Sequence, residues 1–269
     1  MRRRSRALSR VFLLLALSLP AISQTVTGTI PASFASDPQA VALIQQAQLA
    51  LTGGTQVADT TVNTGAIWIV GKTSVTGTAT LKTRGLTESR LDLSANGATH
   101  SEIRNDQSGQ WVDVSGKAHD FAVHNCWGPT AWFSPQSIIT GYSATDVVLS
   151  YIAQETRAGL QVDHVRAYRT VLNQKPKIAA LIKKLSTVDL YLDPTTHLPL
   201  ALTYNSHPDD DYTHDVPVEI RFADYRPFSG LNLPHRIQRL INGDLDLDMS
   251  LLSASVNTGL DDSAFQPAH

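Results

Sequence analysis

Residues 244–252 read DLDLDMSLL. Acidic and aliphatic side chains alternate at every second position, the period of an extended strand and not of a helix. Asp244, Asp246 and Asp248 fall on one face; Leu245, Leu247, Met249 and Leu251 fall on the other. A strand divided in this way sits at a boundary between water and an apolar layer. What lies against the oily face decides the architecture.

The same texture runs through most of the chain. Val75, Gly77, Ala79 and Leu81 oppose Thr76, Thr78, Thr80 and Lys82, and Leu91 and Leu93 oppose Arg90 and Asp92. With turn signals at Gly71-Lys72, Asn96-Gly97 and Asn105–Gly109, residues 57–115 predict a meander of about five antiparallel strands. A hairpin over 149–157 and 160–171 turns at Ala158-Gly159. Val188-Leu190-Leu192, Leu198-Leu200-Leu202, Val216-Val218-Ile220-Phe222 and Leu231-Leu233 continue the series, punctuated by Asp193-Pro194, Ser229-Gly230 and Asn242-Gly243. The total is about twelve strands.

Helices are few. Ser36-Asp37-Pro38 starts one that places Ala40, Leu43, Ile44, Ala47 and Leu51 on one face and ends at Gly53-Gly54. A second begins at Pro176, with Ile178, Leu181, Ile182 and Leu185 as its apolar stripe. The segment 116–147 breaks the alternation; it is read as loop with one short helix after Ser134-Pro135. The fold class is therefore mainly β. We expect a large curved antiparallel sheet, a half-barrel, with two or three short helices packing on its concave face.

The first residues read as an export signal. Five arginines precede the apolar run Val11–Leu19, and Ala21-Ile22-Ser23 supplies small residues for cleavage after about Ser23. The run is too short to span a bilayer, and no cysteine follows it to be lipidated. The expected organisation is a signal peptide over 1–23, a flexible lead-in over 24–35 and a single domain over 36–269, exported to the periplasm and not crossing the membrane. Losing residues 1–23 takes Lys+Arg from 22 to 17 against 24 Asp+Glu, so the remaining chain carries a charge of about −7. A field of that sign opposes nucleic acid as a partner. One cysteine, Cys126, closes no intrachain disulfide, so stability must come from packing.

Three groups of residues invite a functional reading. HPDDDYTHD brings His207, Asp209, Asp211 and His214 into one loop, where they could gather round a divalent ion, as a metal-dependent enzyme using residues 207–215 would require. No established ligand spacing fits, and the composition is that of a solvated connection, which is the reading adopted. HDFAVHNC offers His119, Asp120, His124 and Cys126, but no third group to orient a thiol nucleophile, and Cys126 reads as a small buried hydrophobe. Nucleotide-binding glycine loops, the nucleophile elbow and the H-E-x-x-H helix are all absent from the sequence, so nothing nominates an enzyme or a cofactor. The third group is the oily face itself: Leu190, Leu192, Leu200, Leu202, Ile220, Phe222, Ile237, Leu245, Leu247 and Leu251 as wall, with Trp127, Trp132 and Phe133 as plug or lid. Periodicity identifies these residues but leaves open whether their far side is filled by the chain or by an apolar ligand.

The C-terminal third carries a resemblance. A strand ending in Asp193-Pro194 and one from Leu198 precede Phe222-Ala223-Asp224-Tyr225-Arg226, which leads to Gly230. Leu233-Pro234, Arg236-Ile237, Val256-Asn257 and Asp262-Ser263-Ala264-Phe265 follow. This grammar over residues 186–266, with the N-terminal helix running into Gly53-Gly54, resembles the LolA-like superfamily of outer-membrane lipoprotein-sorting proteins. The resemblance implies a half-barrel closed by helices over an apolar cavity, and carriage of a lipid or a lipid-modified protein. An alternative keeps the same fold with a filled cavity, as a structural or sensory module whose partner is an envelope protein.

Overall fold

A computed structural model describes residues 35–85, 87–106 and 108–266. The signal-peptide reading and nearly all of the lead-in lie outside the described residues.

Thirteen strands form one antiparallel sheet, one more than the periodicity suggests. The first six are β1 (Asp59–Val70), β2 (Thr73–Arg84), β3 (Glu88–Ala95), β4 (Ala98–Asn105), β5 (Ser108–Val112) and β6 (Ala118–Asp120). The other seven are β7 (Val147–Arg157), β8 (Leu160–Arg169), β9 (Val188–Leu192), β10 (Pro199–Ser206), β11 (Val216–Phe228), β12 (Leu231–Ile241) and β13 (Asp244–Val256). Their order is β6-β5-β4-β3-β2-β1-β13-β12-β11-β10-β9-β8-β7: the chain's two halves meet where β13 pairs with β1, and the sheet stays open between β6 and β7. The extra strand is β6, inside the segment read as loop; a 3-10 turn over Val123–Trp127 follows it. Hairpin turns fall where the sequence puts them. Asn96-Gly97 and Asn242-Gly243 both take positive φ at both central residues, the geometry that matches the twist of the flanking strands.

The sheet curls strongly. β4 and β12 lie five steps apart, about 24 Å on a flat sheet. Yet Glu102 on β4 and Arg239 on β12 form an ion pair at 2.9 Å. Two side chains cannot bridge that flat distance, so the strands face each other across a concavity. Gly77 on β2 permits part of the curl: a Cβ there would meet the Ser94 carbonyl oxygen of β3 at 2.1 Å.

Three α-helices complete the chain: α1 (Pro38–Thr52), α2 (Pro135–Gly141) and α3 (Pro176–Ser186). Each begins with proline, whose missing N–H costs nothing in a first turn. Asp37 caps α1 by accepting from the Gln39 amide, and Gly53 ends it in the left-handed region. α1 is tied at both ends across the concave face. The Asp37 amide donates to the Leu149 carbonyl of β7, and the Asn232 side chain of β12 donates to the Ala50 carbonyl.

Four strand pairs shift register, and two of the shifts move residues of the expected oily face. The pairing of β12 with β13 shifts by one residue, with Arg239 opposite Leu247 and Leu240 opposite Leu245. Asp246 is the extra residue, and the shift leaves Leu245 37% exposed while Leu247 and Met249 are fully buried. The aspartates of this strand are also not simply solvated. Asp246 accepts from Arg239, and Asp248 accepts from both Arg236 and Gln238. A second bulge, between Pro199 and Ala201, sets Leu200 against the small outer cluster of Val162, Tyr191 and Ala201.

Candidate functional site

The oily face of the opening stretch meets the protein's own chain. Ala40, Leu43, Ile44, Ala47 and Leu51 of α1 are buried in one contiguous core with Leu190, Leu192, Leu202, Ile220, Phe222, Ile237, Leu247 and Met249 of the sheet. Trp132, Phe133, Ile138 and Ile139 complete it from the segment between β6 and β7. Trp132 and Phe133 meet edge to face at 5.4 Å. Trp132 donates from Nε1 to Glu102 at 3.3 Å and lies under the Arg239 guanidinium. The void that fronts Ile237 and Leu251 measures about 20 Å³, room for roughly one water molecule. Nine of the thirteen sequence-nominated wall and lid residues are thus members of a packed core. The exceptions are Leu245, Leu200, Leu251 and Trp127.

Trp127 lines a larger space. A cavity of about 330 Å³ opens between the Trp127–Tyr142 segment and the starts of β7 and β9. Ala131, Ile138, Tyr142, Val147 and Val188 supply its apolar wall. Burial pushes the Tyr142 phenol well above its ordinary value, and its hydroxyl finds no partner among the described residues. At the rim Arg169 covers the Trp127 ring, pairs with Asp146 at 2.7 Å and reaches Asp106 at 3.5 Å. Arg169 meets two carboxylates, so the rim carries no excess positive charge; Thr130, Ser137 and Ser186 interrupt an otherwise mainly apolar wall.

A second cavity, of about 280 Å³, lies on the other side of the Gly128–Thr130 turn. Its walls include Glu102, Arg239, Arg104, Trp111 and Tyr204. Burial alone would push the Glu102 carboxyl up, but the Arg239 guanidinium, assisted by His100, outweighs it and holds the carboxyl well below the usual carboxylate range. Sequence reasoning missed this group because β4 is inverted: Glu102 pairs with Leu91 and Trp111, so it shares the inner face with Leu91. Ile103 points outward, on the face where Arg90 reaches the Gln266 carbonyl beyond the Asp262–Phe265 turn.

The nominated polar groups are not assembled. His207 is buried, with Nε2 3.1 Å from Asp215, and burial pulls its pKa below the ordinary value. Asp211 accepts from Thr213 within its own loop, while Asp209 lines the second cavity. Among the described residues no three His, Cys, Asp or Glu side chains converge on a metal-sized point, His207, Asp209, Asp211 and His214 included. His119 pairs with Asp113 and stacks on Trp111, Asp120 accepts from Gln110, and His124 donates to the Pro208 carbonyl. Cys126 is buried, and desolvation pushes its thiol pKa up, away from the nucleophilic thiolate. Asn125, between them, clamps the segment to the end of β10: its amide donates to the His207 carbonyl, and its Oδ1 accepts from the His207 amide.

No protein-family model matches the sequence, and no curated protein does. Solved structures do match. A domain from Vibrio parahaemolyticus named for outer membrane lipoprotein sorting is 11% identical with a TM-score of 0.54, covering 84% of this chain and 96% of its own. A LolA superfamily protein from Nitrosomonas europaea is 10% identical with a TM-score of 0.53, covering 84% and 97%. A DUF1329 family protein from Desulfovibrio piger is 11% identical with a TM-score of 0.52, covering 86% and 98%. With an open, curled antiparallel sheet and helices tied across its concave face, this chain has the LolA-like fold.

Proposed function

We propose that the protein is an exported, non-enzymatic binding protein that holds an acyl chain, of a lipid or of an acylated protein, in the 330 Å³ cavity beside Trp127. The observation that carries this reading is the cavity itself: mainly apolar walls, a rim without excess positive charge, and a volume at the lower end of small-molecule sites. Each methylene moved from water into it contributes about 0.8 kcal/mol, so roughly eight give a gross 6 kcal/mol without any polar anchor. The fold supports the same reading by analogy with the domain named for lipoprotein sorting. Export rests on the features of residues 1–23. Among the described residues no helix is long and apolar enough to cross a membrane.

The test is calorimetric titration with monolauroylglycerol, an acyl chain with an uncharged head. Saturable one-to-one binding is expected. Ala144→Trp, which puts an indole into the cavity from its rim, weakens binding at least tenfold, and Ser137→Trp does the same from the α2 side. Unaltered affinity in both variants, or no saturable binding to the parent protein, contradicts the assignment.

One observation favours a second reading. The void beside Ile237 and Leu251 is water-sized, as a filled structural or sensory module that engages an envelope protein would have it. That reading expects no acyl binding at any concentration short of micelle formation.

A further inference from the structure

Ten arginines lie among the described residues, and nine of them have a carboxylate within 4.0 Å. Arg104 is the exception. Its guanidinium donates to two backbone carbonyls, Cys126 at 2.8 Å and Asn125 at 3.5 Å, and its Nε, shielded from solvent, has no acceptor among the described residues. Carbonyl dipoles satisfy hydrogens but cancel no charge, and a desolvated cation without a counter-charge is costly. Burial accordingly pushes the Arg104 pKa below its ordinary value, though a guanidinium stays protonated at any physiological pH.

The guanidinium is held in place as well as unpaired. Its stem crosses Gly109 on the neighbouring strand, where a Cβ would sit 2.6 Å from the Arg104 Cδ. Phe121 lies beneath the guanidinium at 5.7 Å. This assembly forms one wall of the 280 Å³ cavity, whose other surfaces include the rings of Trp111, Trp132 and Phe133. Two carboxylates line the same cavity: Glu102, already matched by Arg239, and Asp209, which forms no ion pair with Arg104 among the described residues.

We propose that this cavity is a second binding site, for a small monocarboxylate with a flat apolar body, whose charge is met by Arg104 and whose body lies among the aromatic rings. One unmatched positive charge calls for one negative charge. A dianion would set its second charge against Glu102 and Asp209. The volume admits a small ring acid and not a large lipid. This site differs from the acyl cavity in charge and lies across the Gly128–Thr130 turn from it, so either assignment can fail without the other.

The probe is sodium benzoate, titrated calorimetrically into the protein lacking residues 1–23. Benzamide serves as the neutral twin and inorganic phosphate as the dianion. We expect one benzoate per chain, benzamide at least tenfold weaker and phosphate weaker than benzoate. Arg104→Met is expected to reduce benzoate affinity at least tenfold, to the level of benzamide. Because that substitution also loosens residues 125 and 126, the comparison of benzoate with benzamide in the unmodified protein decides the matter alone. Equal binding of the two, or no benzoate binding, overturns the proposal. Phosphate binding more tightly than benzoate overturns the assignment to a monocarboxylate.

Discussion

Replacing Arg239 by methionine is expected to destabilise the protein by about 3 kcal/mol at neutral pH, the lower end of what breaking a buried ion pair costs. Arg239 meets two carboxylates at once, Glu102 at 2.9 Å and Asp246 at 2.6 Å, and covers the Trp132 ring. Methionine keeps much of the volume over Trp132 but leaves both acids without their cation. The lower end applies because Glu102 borders a cavity and is not sealed in packed side chains. The pH dependence has a definite sign. In the parent protein the Glu102 carboxyl titrates below its ordinary 4.5, so its contribution is present above that value and is lost as pH falls towards the folded-state pKa. Without Arg239, burial is opposed by His100 and the Trp132 N–H, and the carboxyl titrates higher than in the parent protein. The variant's deficit therefore narrows as pH is lowered through the ordinary carboxylate range. Urea midpoints at neutral and mildly acidic pH measure it; a deficit under about 1 kcal/mol that does not vary with pH would mean that the pair is not the strut described here.

Phe222→Ala is expected to cost about 3–5 kcal/mol, the loss of a large side chain from a packed core. Phe222 is 2% exposed, shares a cluster with α1 and the Trp132–Phe133 pair, and borders neither the 330 Å³ nor the 280 Å³ cavity. Had it walled an open ligand site under the sheet, its truncation would mainly enlarge that site and cost far less. The same urea measurement separates the two cases, and a loss near 1 kcal/mol would return the concave face to the role of ligand wall. Monolauroylglycerol affinity should move little in this variant, since the acyl cavity lies elsewhere.

Much of this architecture is legible in the chain because strands and turns are local. The alternation of Leu91 with Asp92, the Asn-Gly hairpins at 96–97 and 242–243, and the proline-led helices each declare themselves within a few residues. Inward and outward assignments are less secure. The bulge at Asp246 turns Leu245 outward, and the bulge at Leu200 does the same on β10, with no mark of either in the hydropathy pattern. Strand β4 misleads for another reason. His100, Glu102 and Arg104 occupy its inner face because partners far along the chain neutralise or cover them. Arg239 lies 137 residues from Glu102, and no window of sequence contains both. Both cavities share that origin. Each is the space left where the Trp127–Tyr142 segment fails to fill the curl of the sheet, so it belongs to the packing and not to any motif.

The proposed function puts an acyl chain inside this fold. Native mass spectrometry tests it most directly, on protein recovered from the exported fraction without detergent and then extracted with solvent. A one-to-one adduct of lipid mass, greatly reduced by Ala144→Trp, is the expected result. A clean mass for the unliganded chain that stays clean when monolauroylglycerol is added would contradict it.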